Sequence, residues 1–233
     1  MTYQQVMLEL QKLGIDQTRK IYLNHGADIP MFGVSMANIK LLAKKNKNNH
    51  DLGRELFFTN NVDAIYLSQF LVDSKQLTIE DFESIILKTH YYMILDNSVA
   101  NIVAKNEQLS YECIAKWIAH TDSRFRQVAY SVYTLILGSY ENDIIDKLDV
   151  HRKVLYVKEH IHQEENRVRY SMNNFLIQSA VTFPEFVEEF KGYAKEIGKV
   201  VVVMGNTACK VPDAASYIEK IQHMGNVGKK RKL

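Results

Sequence analysis

Apolar side chains fall at three- and four-residue intervals along nearly the whole chain, the spacing of amphipathic helices rather than of strands. Tyr3 to Leu13 makes a first helix, stopped by Gly14. Residues 16–25 make a second, followed by the breaker run Gly26, Ala27, Asp28, Ile29, Pro30. Ser35 is placed to cap residues 36–47, Asp51 to cap 52–58 and Asn61 to cap 62–73. Thr78, with Asp81 three residues on, has the pattern of a capping box ahead of 79–90. The helical period continues through 91–105. Ser110 opens 111–120, and Ser123 opens 124–137, which Gly138 stops. Further helices are expected at 141–148, 150–162, 165–180 and 184–197, with Pro184 in a first turn, and at 213–224, with Gly225 as its stop. The apolar run 200–204 reads as a short extended segment.

Helix pairs therefore recur about every 35–45 residues, the spacing of HEAT and armadillo repeats. Such pairs stack into an α-α superhelix, a solenoid whose concave face is the usual binding surface. The expected fold is accordingly all-α, built of HEAT-like repeats, with a compact helical bundle as the alternative architecture. No low-complexity linker divides the chain, so residues 1–233 read as one domain. Its basic tail, about 225–233 (GNVGKKRKL), is expected to be mobile and solubilising, with non-specific nucleic-acid or partner affinity as the alternative.

Composition and charge sharpen this picture. Ten glycines and three prolines in 233 residues are too few turn-formers for an all-β or α/β fold. No window of 18 apolar residues offers a membrane span, and the amphipathic N-terminus lacks the basic and apolar blocks of a signal peptide. Two cysteines, Cys113 and Cys209, make neither a disulfide framework nor a zinc site, which points to the cytoplasm. Cys209 has no paired base nearby and reads as structural. His160 and His162 stand two apart, the wrong spacing for one helical face, so no metal site is expected, and no cofactor motif is present. The net charge of +2 hides an asymmetry. Residues 191–233 hold nine Lys/Arg against three acids, a net +6, and residues 1–190 hold twenty against twenty-four, a net −4. Phosphate binding needs clustered cations, so an acidic body with a basic end predicts weak binding to duplex DNA.

Residues 91–101, YYMILDNSVAN, carry an aromatic side chain, an aspartate four residues later and a helical continuation. This segment resembles the catalytic segment of the AlkD family of HEAT-like-repeat DNA alkylation repair proteins. Residues 116–133 and 167–180 look like that family's following helices, and residues 197–221 (IGKVVVVMGNTACKVPDAASYIEKI) resemble the C-terminal signature of proteins grouped with it. The resemblance implies a DNA glycosylase-like protein of DNA repair. Active members hydrolyse the N-glycosidic bond of cationic N3- or N7-alkylated purines. A carboxylate stabilises the developing charge on the sugar and positions water, and tryptophans hold the nucleotide.

Carried over, the catalytic aspartate falls on Asp96 and the tryptophan one turn before it on Tyr92. The second tryptophan falls on Asn174, in a register one position away from Asn173, and a DNA-contacting arginine falls at Arg126 or Gln127. Arg124, Arg126, Arg167 and Arg169 are candidates for a phosphate-binding face, or else solvated arginines in local ion pairs. Asp96 has helix capping or ion pairing as its plainer role. One of the adjacent Tyr91 and Tyr92 belongs to the core, as does Trp117, the sole tryptophan. The stretch 24–32, where active members place a DNA-binding helix, holds Gly26, Asp28 and Pro30 and is expected to be a loop, with Asp28 repelling phosphates. With one ring missing and one reduced, the chain reads as a monomeric divergent relative that binds duplex DNA weakly, its excision weak or lost. An active alkylpurine glycosylase and a protein-interaction scaffold are the alternatives.

Overall fold

The computed structural model describes residues 1–232. All the regular structure among them is helical. The helices gather into two compact units: Met1–Leu109 with Met204–Ala208, and Ser110–Val203 with the chain from Cys209 on. The boundary falls inside a helix, Glu107–Trp117, so no linker composition marks it.

In the first unit, α1 (Tyr3–Leu13) opens on a Thr2–Gln5 capping box. It packs with α3 (Met36–Lys45), α4 (His50–Phe57) and α5 (Val62–Ser68), while α2 (Asp16–Asn24) precedes the expected non-helical stretch at 26–35. Ser35 and Asn61 cap as expected, but Asn49, not Asp51, caps α4. The side chain of Asn49 accepts from the Leu52 amide, which starts the helix before Asp51 is reached. Thr78 and Asp81 close their capping box on α6 (Ile79–Ile86). The next helix is a six-residue π turn, Ile94–Val99, running into α7 (Ala100–Val103).

The core of this unit is aromatic. Tyr22, Tyr66 and Tyr91 gather with centroids 5.6–6.5 Å apart, and burial pushes the Tyr91 phenol up to about 12. Beside them Asp63, in the first turn of α5, is fully buried. Its carboxylate accepts the amides of Phe32 (2.6 Å), Gly33 (3.1 Å) and Val34 (2.7 Å), and Tyr22 donates to the Val34 carbonyl at 2.6 Å. A buried carboxylate is tolerated only when bonded in this way. Here it fixes the end of the 26–35 stretch.

The second unit shows the repeat directly. Its helices are α9 (Ser123–Ser139), α10 (Lys147–His160), α11 (Asn166–Thr182), α12 (Val187–Ile197) and α13 (Ala214–His223), following α8 (Glu107–Trp117). Between α10 and α12 with the 3-10 turn Pro184–Phe186 before it, Lys147 meets Glu185, His151 meets Glu189 and Lys158 meets Glu196, each partner 38 residues on. Arg126 meets Glu164 at the same offset on the neighbouring pair, and the Ser131 and Ser171 hydroxyls lie 3.2 Å apart. Exposed ion pairs add little stability, but these record a constant register between successive helix pairs. Trp117, Tyr130, Tyr133, Phe175, Phe183 and Phe190 fill the core.

Three sequence expectations shift here. Residues 141–148 are not a helix of their own: Asp146 caps α10, leaving only a 3-10 turn at Asn142–Ile144. Asp122 rather than Ser123 caps α9, which runs through Gly138 instead of stopping there. The basic tail is held by specific hydrogen bonds, Gly228 N to Val181 O (2.8 Å) and Arg231 N to Gly138 O (2.9 Å), because the ends of α9 and α11 leave carbonyls that need donors. Among the described residues, no helix is long and apolar enough to cross a membrane.

Candidate nucleic-acid interface

The segment matched to a catalytic site begins with a pinned turn. Asp28 accepts the Thr89 hydroxyl and, at 2.6 Å, the His90 amide, while the Tyr91 amide donates to Thr89 Oγ1 at 2.9 Å. Asp28 is thus an internal anchor for the chain entering the helix. From there Tyr91 points into the core, fully buried, and Tyr92 lies half-buried beside it with rings 6.0 Å apart. The Tyr92 hydroxyl is 2.5 Å from Nδ1 of His25, the residue that ends α2.

Four residues later Asp96 sits in the first turn of the π segment. Its neighbours Ile94, Leu95, Ser98 and Val99 are buried, and Asp96 itself is half-buried. A π turn inserts one residue into the helical register and so re-aims the side chains around it, a device frequent at functional sites. Tyr92 and Asp96 share one short helical stretch of the first unit.

The other candidates lie in the second unit. Arg124 turns back on its own helix cap: Nε lies 3.1 Å from both Asp122 oxygens and Nη2 2.6 Å from Oδ2. These bonds hold the Asp122 carboxyl below its ordinary range. Arg126 is more fully engaged. Nε reaches both Glu164 oxygens at 3.2 Å, Nη2 reaches Glu164 at 2.7 Å and also Glu165, and Nη1 donates to the carbonyls of His120 (2.7 Å) and Thr121 (2.9 Å). All five guanidinium donors therefore have acceptors within the chain. Gln127 is buried. On α11, Asn173 is buried and donates to the Pro212 carbonyl at 3.0 Å, whereas Asn174 is half-buried. Arg167 lies over the Tyr170 ring at 4.7 Å. Arg169 is half-buried, and its buried Nε has no acceptor among the described residues.

A family model described as DNA alkylation repair enzyme matches residues 6–196. The chain belongs to the DNA alkylation repair enzyme family. It is 32% identical over 231 residues to an uncharacterized protein of Listeria innocua, covering 97% of this chain and 99% of that one. To an uncharacterized protein of Listeria monocytogenes it is 33% identical over 229 residues, covering 95% and 98%. Among solved structures it matches, at a TM-score of 0.90 and 33% identity over 100% of this chain and 99% of the other, a member of a family related to the HEAT-like repeat DNA glycosylases with affinity for branched DNA structures. The fold is thereby that of the HEAT-like repeat glycosylases, all-α and built of helical repeats.

Three features of this DNA alkylation repair enzyme family member have no local signal in the sequence: the pairing of His25 with Tyr92, the anchoring role of Asp63, and the clamping of Lys230 and Arg231. His25 closes the second expected helix, and nothing local marks it as the partner of Tyr92. Asp63 lies in the stretch expected as the helix 62–73, and nothing local marks its amide partners. Lys230 and Arg231 belong to the tail read as solubilising, with nucleic-acid or partner affinity as the alternative. Each gains its role from residues far away in the chain, which no local pattern records.

Proposed function

We propose that the protein is a DNA-binding member of the alkylpurine glycosylase lineage that recognises branched DNA and whose base excision is weak or lost. The observation that carries this reading is the full-length likeness to a protein with affinity for branched DNA. The local chemistry agrees with it. A half-buried asparagine stands at 174 where the resemblance would place a ring. Base stacking on one aromatic is worth about 1–3 kcal/mol, so the loss alone weakens the hold on a nucleotide roughly 5- to 150-fold. The stretch at 26–35 is a pinned loop and presents no helix to a groove.

A second reading, an active glycosylase, is favoured by one observation, the π turn that carries Asp96 beside Tyr92.

One experiment separates the two. Purified protein is titrated against a synthetic four-way junction and a linear duplex of equal length, and incubated with methylated duplex DNA, with Asp96→Asn alongside. We expect tighter binding to the junction than to the duplex, equal for both proteins, and no release of 3-methyladenine or 7-methylguanine above the spontaneous rate. Release that Asp96→Asn abolishes would make the protein a working glycosylase.

A further inference from the structure

The second unit neutralises the arginines of its own helix. Arg124 faces Asp122, and Arg126 faces Glu164 and Glu165. The unit nevertheless holds the most basic stretch of the chain, residues 229–232, in a fixed place. Gly228 N donates to Val181 O at the end of α11. Lys230 Nζ donates to Leu137 O at 2.8 Å, and Arg231 N to Gly138 O at 2.9 Å, both at the end of α9. Lys230 is half-buried, and burial lowers its ammonium from the ordinary value. These contacts answer the free carbonyls and the negative dipole end of α9.

The capping needs only the Lys230 ammonium and the Arg231 amide. The Arg231 side chain serves no part of it. Arg231 is exposed and, among the described residues, pairs with no carboxylate. Its guanidinium lies over Gly138: a Cβ there would stand 3.1 Å from Nε, 3.2 Å from Nη2 and 3.4 Å from the Gln178 side chain. The Arg231 guanidinium therefore rests against the open face of α9 at Gly138, beside Gln178.

Gln178 continues a line along α11 from Arg167 through Tyr170 and Asn174 at helical spacing, a partly exposed stripe about 17 Å long by its rise per residue. Arg231 closes the far end of that stripe. We propose that the clamped tail is part of the DNA-binding surface, with Arg231 and Lys232 as backbone-phosphate contacts and Lys230 as the residue that positions them. This rests on the DNA-binding reading above.

The test is fluorescence anisotropy of a labelled four-way junction and a labelled linear duplex, titrated between 50 and 200 mM salt. Wild type is compared with Arg231→Ala, Arg231→Ala/Lys232→Ala, Arg231→Lys and Gly138→Ala, with thermal melting of each. A phosphate contact carries about one unit of slope in log K against log salt. We expect the single alanine variant to flatten that slope by about 1 and the double by about 2, on both DNAs alike, at an unchanged melting temperature. Arg231→Lys should retain most of the slope. Gly138→Ala, whose Cβ asks the guanidinium to move by only a few tenths of an ångström, should keep the wild-type slope. Wild-type slopes in both alanine variants would overturn the tail's role while leaving DNA binding intact. Absence of binding by the wild type at every salt concentration would overturn both, and the wild-type titration alone reports it.

Discussion

The Tyr92 hydroxyl and Nδ1 of His25 lie 2.5 Å apart, which ties the ring matched to a stacking tryptophan to the residue that ends α2. The hydroxyl is therefore an internal fastener, and under the proposed DNA-binding role the ring is the part that meets a base. Tyr92→Phe removes the fastener and keeps the ring. We expect it to lower folding stability by about 1 kcal/mol, the net worth of one such bond, with affinity for a four-way junction kept within about twofold. Tyr92→Ala should weaken binding roughly 5- to 150-fold, the range of one lost stacking contact. Equal losses in both variants would show that the hydroxyl, not the ring, serves DNA.

Arg126 offers the contrary expectation. Its five donors are taken up by Glu164, Glu165 and two carbonyls, and its side chain is 14% exposed beside a Glu164 that is 10% exposed. Removing one partner of such a pair leaves a buried charge unanswered, at a cost of about 3 kcal/mol or more. Arg126→Ala should lower the denaturation midpoint by a corresponding amount and leave the salt slope of DNA binding unchanged. Arg126→Lys should not restore stability, because an ammonium cannot reproduce the bidentate fork. A flattened slope at full stability would make Arg126 a phosphate contact after all.

The helices were legible because burial of one face imposes a period that each sequence window repeats. The capping box at Thr78 and Asp81, the cap at Ser35 and the loop after α2 all rest on nearest-neighbour chemistry. What was hidden depends on partners far apart in the chain. Nothing near Asn49 says that its side chain reaches the Leu52 amide before Asp51 can act. Gly138 reads as a helix stop until Arg231, ninety-three residues on, is seen lying over it. Arg124 and Arg126 read equally as phosphate contacts or as local ion pairs, and only the fold places Glu164 against Arg126. Asp96 and Tyr92 could be located through the resemblance, but the π turn that carries Asp96 has no local signature.

Asp63 and Gly33 act as one device. Gly33 holds φ at +85°, and a Cβ there would stand 2.6 Å from the Arg19 amide nitrogen, while its own amide donates to Asp63. Gly33→Ala should cost more than about 2 kcal/mol, from left-handed backbone strain and the backbone clash together. Asp63→Asn replaces one acceptor oxygen with an amide donor facing backbone N–H groups and should cost about 2–3 kcal/mol. Burial holds the Asp63 carboxyl above its ordinary value in spite of those bonds. A raised folded value means that its contribution is fully present below the unfolded value, near pH 4, and is lost as pH rises through the folded one. The gap between wild type and Asp63→Asn in urea denaturation should therefore widen from pH 7 towards pH 4. A gap that narrowed over that range would show the three amides prevailing over burial.

Asp122 carries the opposite sign. Its hydrogen bonds with the Arg124 guanidinium, and after them the Arg124 amide, hold its carboxyl below the ordinary carboxylate value. A depressed folded value gives stability that is present above the unfolded value, near pH 4, and disappears as pH falls through the folded one. The pair is well placed to matter, with side chains 16% and 28% exposed at the start of the long helix α9. Between pH 5 and pH 3 wild type should lose stability more steeply than Asp122→Ala, which has no carboxylate to protonate there. Arg124→Ala should remove much of the same steepness, because Asp122 then titrates near its ordinary value in both states. The double variant should cost less than the sum of the two singles at pH 7, and the excess should shrink as pH falls below about 4. If Arg124→Ala instead left the acid slope intact and flattened the salt dependence of junction binding, the guanidinium would be serving phosphates rather than its own helix cap.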